Sequence, residues 1–311
     1  MRVLARFARG LAAATLALGL GGLPAMAEPG ARITLGYGHF FDNDVFGDGK
    51  DRWQTGAYSF SVLRGPRWAG TLPARPFEIF EYRLGGAVVA PARLRAPAPW
   101  DRRYVAKATA MVQTYFAPRP ELEASLGLGL VWTGPANRIS EMQEWLHRVV
   151  SEPRPVVAQD QFPNHLYPVF AAELARPYDL GGAELRPFAE GRAGDESFVR
   201  VGADLAFGAR ERGALWLRDD MTGQRYRGIA GAEPGGTSFV IGADIAHIFD
   251  SVYFPTAAGG DALASRKRLR LGVHSHLGDL GVFYGVTWLS KEFEGQPEGQ
   301  AVGSLRFSKR F

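Results

Sequence analysis

Apolar and polar residues alternate with a period of two along nearly the whole chain from about residue 32, and turn-forming residues interrupt the alternation at intervals. The pattern predicts strands near 32–44, 54–64, 78–90, 103–116, 121–132, 165–177, 183–192, 197–208, 237–249, 267–278, 281–293 and 301–311. The alternation has a consistent sense. In 197–208 one face is Val199, Val201, Ala203, Leu205 and Phe207, and the other carries Arg200 and Asp204. In 183–192 the polar face is Glu184, Arg186, Glu190 and Arg192. Charges on one side and aliphatics on the other suit a polar lumen inside a lipid-facing wall. Twelve is an even number, as a single-chain bacterial barrel requires.

One segment departs from this period. SEMQEWLHRVV, Ser140 to Val150, reads as a short helix with Ser140 and Gln143 spaced as a capping box. Met142, Trp145, Leu146, Val149 and Val150 form its apolar stripe, with Gln143 and His147, four apart, on the shoulder. The segment 210–236 fits no strand pattern and no motif.

The ends of the chain sharpen the picture. Arg2, Arg6 and Arg9 precede the apolar run Leu11 to Leu20, and Ala25-Met26-Ala27 follows. Residues 1–27 therefore read as a cleaved signal peptide, leaving 28–311 as a single domain. The chain closes on an alternating segment with Phe311 last, Lys309 interrupting its apolar face. No later stretch approaches the roughly 20 apolar residues of a spanning helix, so crossing lipid requires a closed sheet. The expected class is all-β: a membrane-spanning antiparallel barrel of about twelve strands, with a short helix in the third extracellular loop.

Charge and cysteine content exclude other classes. Three of the 36 basic residues lie in the signal segment, so the remainder is nearly balanced against 32 acidic ones. Nothing in that balance favours nucleic acid. With no cysteine, the exported fold has neither disulfides nor a thiolate metal site.

Strand counting places the unusual polar clusters. With a periplasmic amino terminus, loops after odd strands face outward. The first such loop holds Asn43, Asp44, Asp48, Asp51 and Arg52. The second leads into Asp101, Arg102 and Arg103, and the third carries Gln143, His147 and Gln159 to Gln161. Three clusters at one end predict a site at the outer mouth.

The order of motifs resembles the outer-membrane lipid A 3′-O-deacylase family over essentially the whole mature chain. The matching pieces are FDNDVF (Phe41–Phe46), DRWQTG (Asp51–Gly56), WDRRY (Trp100–Tyr104), TGPANRISEMQEWLHRVV (Thr133–Val150), KEFEGQ (Lys291–Gln296) and the terminal Phe. The resemblance implies calcium-dependent hydrolysis of an ester that carries an acyloxyacyl group on lipid A. Carried over, His147 is the base that activates water, Asn43 and Asp44 hold Ca2+, and Gln143 orients the site. A threonine on the second strand supports it, and alternation favours Thr55 over Gln54 for that place. Imidazole titrates where proton abstraction near neutral pH needs it, and the first loop offers the oxygen ligands that a hard cation takes. Arg102 and Arg103 are the candidates to grip anionic groups of lipopolysaccharide.

The chain departs from the family pattern in three places. Trp53-Gln54-Thr55-Gly56 stands for Tyr-Thr-Asn-Gly, Arg102-Arg103-Tyr104-Val105-Ala106 for Arg-Pro-Tyr-Ala-Gly, and Val157-Ala158 for Gly-Trp. Simpler readings stand beside the sharp ones. Asn43-Asp44 also suits an ordinary turn, Gln143 a capping role, and His147 packing at a helix edge. Glu292 and Glu294 read as structural or electrostatic. The expected partners are lipid A in the outer leaflet and the barrel-assembly machinery during insertion, for a monomeric barrel. The competing functions are a phospholipase-type esterase on the same scaffold, and an inactive barrel or narrow pore.

Overall fold

Lipid offers no hydrogen bonds, so a sheet that crosses it has to pair both of its edges. The computed structural model shows this closure; it describes residues 32–150, 155–231, 236–254, 260–277 and 280–309. Residues 1–27, read from the sequence as a signal peptide, and Phe311 lie outside the described residues. The strands are β1 (Ile33–Asn43), β2 (Trp53–Gly65), β3 (Phe80–Ala90), β4 (Val105–Arg119), β5 (Leu122–Thr133), β6 (His165–Ala175), β7 (Tyr178–Asp179), β8 (Ala183–Ala193), β9 (Glu196–Gly208), β10 (Leu215–Arg218), β11 (Arg225–Ile229), β12 (Ser238–Ser251), β13 (Ser265–Leu277), β14 (Leu280–Leu289) and β15 (Gln300–Lys309). Neighbours pair antiparallel, β1 with β15 and β6 with β8, so twelve long strands close into a barrel. The two-residue β7 hangs on β8. Every strand predicted from the alternation is present; β14 stops at Leu289, short of the predicted 293.

Both β1 and β15 have their free ends at one end of the barrel, here the inner end. The loops after β1, β3, β5, β8, β12 and β14 project from the outer end. Outward side chains form an apolar belt that includes Leu84, Val112, Leu126, Leu128, Leu130, Phe170, Val201 and Leu271, all exposed. Inward side chains are charged and paired. Arg186 bridges Glu123 (2.7 Å) and Glu173 (2.8 Å), and Arg218 joins Glu173 (2.6 Å) to Asp204 (3.0 Å). Arg270 lies between Asp204 (2.8 Å) and Asp244. The most deeply buried of these, Asp204, Asp244 and Arg270, lack bulk water, and their partners offset that cost.

The described part of the segment 210–236, unassigned from its sequence, supplies the hairpin that fills the lumen. β10 and β11 form a short hairpin that enters from the inner end. Leu217 and Tyr226 are fully buried against Phe40, Leu63 and Phe283 of the wall, and the Phe40 and Tyr226 rings stack at 4.7 Å. The wall makes room with glycine: a Cβ on Gly36 meets the Gly228 carbonyl oxygen at 2.2 Å. The Gln224 side chain at the tip donates to the Leu271 carbonyl (3.0 Å) and to Thr287 Oγ1 (3.2 Å). A cavity of about 740 Å3 remains on the inner side of the tip and one of about 150 Å3 on the outer side, with Asp219 and Asp220 lining both.

The predicted helix is present as α1 (Ile139–Val150). Ser140 does not cap it. Asn137 Oδ1 accepts from the Ile139 N–H at 3.0 Å, and the helix begins at Ile139, one residue before the predicted Ser140. Ser140 Oγ instead accepts from the Gln161 amide (3.1 Å), so the polar run after α1 braces its first turn.

Candidate active site

Three outer loops meet on the outside of the barrel wall, above the apolar belt. On β3 the outward residues change from exposed Leu84 to buried Val88 and Ala90 within two turns of the pleat. What covers the upper part is α1 together with a 3-10 turn, Val156–Asp160. Val157 and Ala158 pack there on Val88, Ala90, Tyr104 and Ala106. Ile139 rests on Gly86, where an added Cβ lies 2.9 Å from Ile139 Cδ1. α1 runs against β3 and β4 with Ser140, Gln143 and His147 buried toward the wall. The polar face therefore points inward and the apolar stripe outward, the reverse of the usual amphipathic arrangement.

Two contacts fix the catalytic candidates. The Tyr104 hydroxyl donates to Gln143 Oε1, and burial pushes that phenol up, so it stays protonated as a donor. With Oε1 accepting, the orientation of the Gln143 amide is set. His147 Nε2 lies 3.5 Å from Asp51 Oδ2 in the first loop. Asp51 appeared in the sequence only as one acid in a polar loop. Neither its partner nor that of Tyr104 has a local spacing that sequence can show, since both contacts join separate loops.

The first loop supplies the acidic side of the site. Asp44 begins a 3-10 turn, Asp44–Phe46, capped by Asn43, whose Oδ1 accepts from the Val45 N–H (2.9 Å). Asp44 is fully buried; its Oδ2 accepts from the Arg52 N–H at 2.8 Å while its Oδ1 has no hydrogen-bond partner. Burial pushes the Asp44 carboxyl up to about 9, and the nearby Asp51 and Asp48 charges act in the same direction. A buried carboxylate oxygen without a donor, in a field of other acids, is the environment that a cation relieves. Asn43 is more committed, because its oxygen serves the turn. Among the described residues no group of three or more acidic or histidine side chains is placed to hold a metal, so a calcium ion at Asp44 also requires carbonyl oxygens or water.

The remaining candidates separate. A bulge between Gln54 and Gly56 breaks the alternation on which the choice of Thr55 rested. Gln54 turns to Glu292, donating to its Oε1 at 2.8 Å, whereas Thr55 is buried with its hydroxyl on the Val88 carbonyl at 3.2 Å. Arg102 is buried and joined to Glu292 Oε2 at 2.5 Å, which gives Glu292 the structural part expected of it. Arg103 stays at the surface, paired with Asp160 at 3.1 Å.

The model of the family described as outer membrane protein LpxR matches residues 11–311. The chain belongs to the LpxR outer-membrane family. This is the family whose motifs the sequence carries, and with the closed barrel it places the chain in the outer membrane. A solved structure titled LpxR from Salmonella typhimurium shares the LpxR fold at 14% identity, with a TM-score of 0.69, over 90% of this chain and 100% of that one. Among curated proteins none matched the sequence.

Proposed function

We propose that this LpxR-family barrel is a carboxylic ester hydrolase that removes the 3′-acyloxyacyl group of lipid A at the outer leaflet. The observation that carries the reading is the position of His147: buried, beside Asp51, on the helix whose Ile139 rests over Gly86, two residues beyond exposed Leu84 on the outer face of the wall. An ester at the sugar–acyl junction of an outer-leaflet lipid reaches that level while its acyl chains stay in the membrane.

His147 takes a proton from water, whose oxygen attacks the ester carbonyl. The Asp51 carboxylate stabilises the imidazolium this creates. When the tetrahedral intermediate collapses, the sugar hydroxyl leaves with the proton returned by His147, and the acyl group departs as a carboxylate. Gln143, fixed by Tyr104, holds the inner side of the site, and Thr55 supports the strand beneath it. Asp44 is the principal ligand assigned to calcium, with Asn43 beside it; the ion, when bound, supplies positive charge that polarises the carbonyl. Arg103, at the surface, suits the phosphate of the substrate better than buried Arg102.

The test is mass spectrometry of lipid A from a defined outer-membrane host that expresses the chain, beside His147→Ala. Loss of one acyloxyacyl mass with the intact chain alone is the expected result. Unchanged lipid A with a correctly inserted barrel and added calcium overturns the reading, and phospholipid products under the same conditions redirect it to a phospholipase.

A further inference from the structure

The helix that carries His147 and Gln143 turns its apolar residues away from the protein. Met142, Trp145 and Val149 are 52%, 46% and 44% exposed, whereas Gln143 and His147 are 8% and 7% exposed. At about 100° per residue the three apolar side chains span roughly 60° of the helix surface, and His147 falls roughly 170° from their centre. Water on that stripe is unfavourable, and a helix in an aqueous loop would turn it to the wall.

The belt explains the orientation. The outward row of β5, Leu126, Leu128, Leu130 and Trp132, is exposed along its length and ends seven residues before α1 begins. Ile139 sits over Gly86, two residues above exposed Leu84 on the same face of β3. The stripe therefore continues the lipid-facing surface upward. Glu141 and Arg148, exposed on the flank of α1, sit where an interfacial helix keeps its charges.

We propose that the Met142–Trp145–Val149 face is a lipid-docking surface, seated among the acyl chains of the leaflet that surrounds the barrel. Seating this face in lipid presses the opposite face, with Gln143 and His147, onto the wall. The membrane thus becomes part of what positions the site. The docking itself stands apart from the ester-hydrolase reading; only its effect on activity rests on that reading.

Because the chain has no cysteine, single substitutions can be labelled without background. Met142→Cys, Val149→Cys, Leu128→Cys and Arg148→Cys are labelled with a fluorophore in the full-length barrel, reconstituted in phosphatidylcholine–phosphatidylglycerol vesicles. Doxyl groups on the acyl chains probe lipid contact, and iodide probes water. The expected result is loss of emission to doxyl lipid at 142 and 149 equal to that at 128, with iodide acting mainly at 148. Iodide quenching at 142 and 149 without doxyl quenching overturns the proposal. Doxyl quenching that appears only after lipid A is added also overturns it, because the stripe then binds a substrate chain instead of the surrounding leaflet. A label-free comparison covers poor insertion of the cysteine variants: Trp145→Phe should reduce tryptophan quenching by brominated acyl chains, and no reduction counts against docking.

Discussion

His147 Nε2 and Asp51 Oδ2 face each other at 3.5 Å across the seam between α1 and the loop that follows β1. The two residues come from different outer loops, so the pair forms only when α1 is docked. A carboxylate at this distance has little to do in the resting imidazole and more to do once the ring carries a proton. Asp51→Asn should therefore lower turnover by roughly 10- to 100-fold with little change in barrel assembly, while His147→Ala loses about 10²- to 10⁴-fold. Initial rates of acyl release, with heat-modifiability on gels as the check on folding, measure both. Equal rates for Asp51→Asn and the parent chain would remove Asp51 from the mechanism.

Tyr104 makes a second, independent claim. Its hydroxyl is the donor that Gln143 Oε1 accepts, and both groups are buried. Tyr104→Phe leaves that oxygen unpaired at a cost of about 1–3 kcal/mol. The amide is then free to turn, and the expected outcome is a fall in kcat, roughly 5- to 150-fold if that cost lies wholly in the transition state. Gln143→Glu in the Tyr104 background keeps an acceptor for the hydroxyl, so partial recovery relative to Gln143→Leu separates positioning from packing.

The docking of α1 rests on the absence of a side chain at Gly86. An alanine there meets only the tip of Ile139 at 2.9 Å, which a rotamer change relieves. A leucine has no such space and lifts the first turn from the wall, carrying Gln143 and His147 with it. Gly86→Ala should retain activity and Gly86→Leu should lose most of it, while both barrels insert. Lipid A mass spectra of the two variants side by side check this.

How much of this was legible before the structure depends on which side of the wall a residue serves. The twelve strands were legible because one face meets lipid and the other paired charge, so Val199, Arg200 and Val201 announce themselves by type. Burial inside a loop assembly carries no such period. The alternation argument for Thr55 over Gln54 does not hold as made, because a bulge between Gln54 and Gly56 resets the period and leaves no mark in WQTG. The stripe of α1 was visible, but its direction was not, since the same wheel serves a helix that buries leucine in protein and one that offers it to lipid. The hairpin 215–229 was invisible for a different reason: strands of four and five residues that carry Arg218, Arg225 and Arg227, joined through Asp219 and Asp220, look like a solvated loop when their partners are the charges of a lumen.

Calcium should act at the site without acting as a structural staple. Asp44 is reached from the outer loops, whereas the barrel is held by its ladders and by the lumen pairs. Chelation is expected to abolish acyl release and leave heat-modifiability unchanged, with activity restored by calcium. Asp44→Ala should be refractory to that restoration. Loss of the folded band on chelation would assign the ion to assembly.

The lumen hairpin sets the last prediction. Leu217 and Tyr226 fill the space beside Phe40, Leu63 and Phe283, and Gln224 ties the tip to β13 and β14. With the hairpin seated, spaces of about 740 and 150 Å3 lie on either side of its tip, both lined by charged residues, so among the described residues the hairpin narrows the lumen. Planar-bilayer recording of the intact chain should show no stable open channel. Replacing residues 215–229 by a short glycine–serine link removes the apolar plug while the twelve wall strands keep their pairing, and the variant should conduct. Its lumen would still carry Arg186, Arg270, Glu173 and Asp204 in mutual pairs, so weak selectivity between small anions and cations is expected. Lipid A deacylation by the same variant should persist, because His147 and Asp51 lie outside the wall. Conductance by the intact chain would return the pore reading to first place; loss of deacylation together with a folded, conducting barrel would show that the plug supports the outer site through β1, whose last residue Asn43 leads into Asp44.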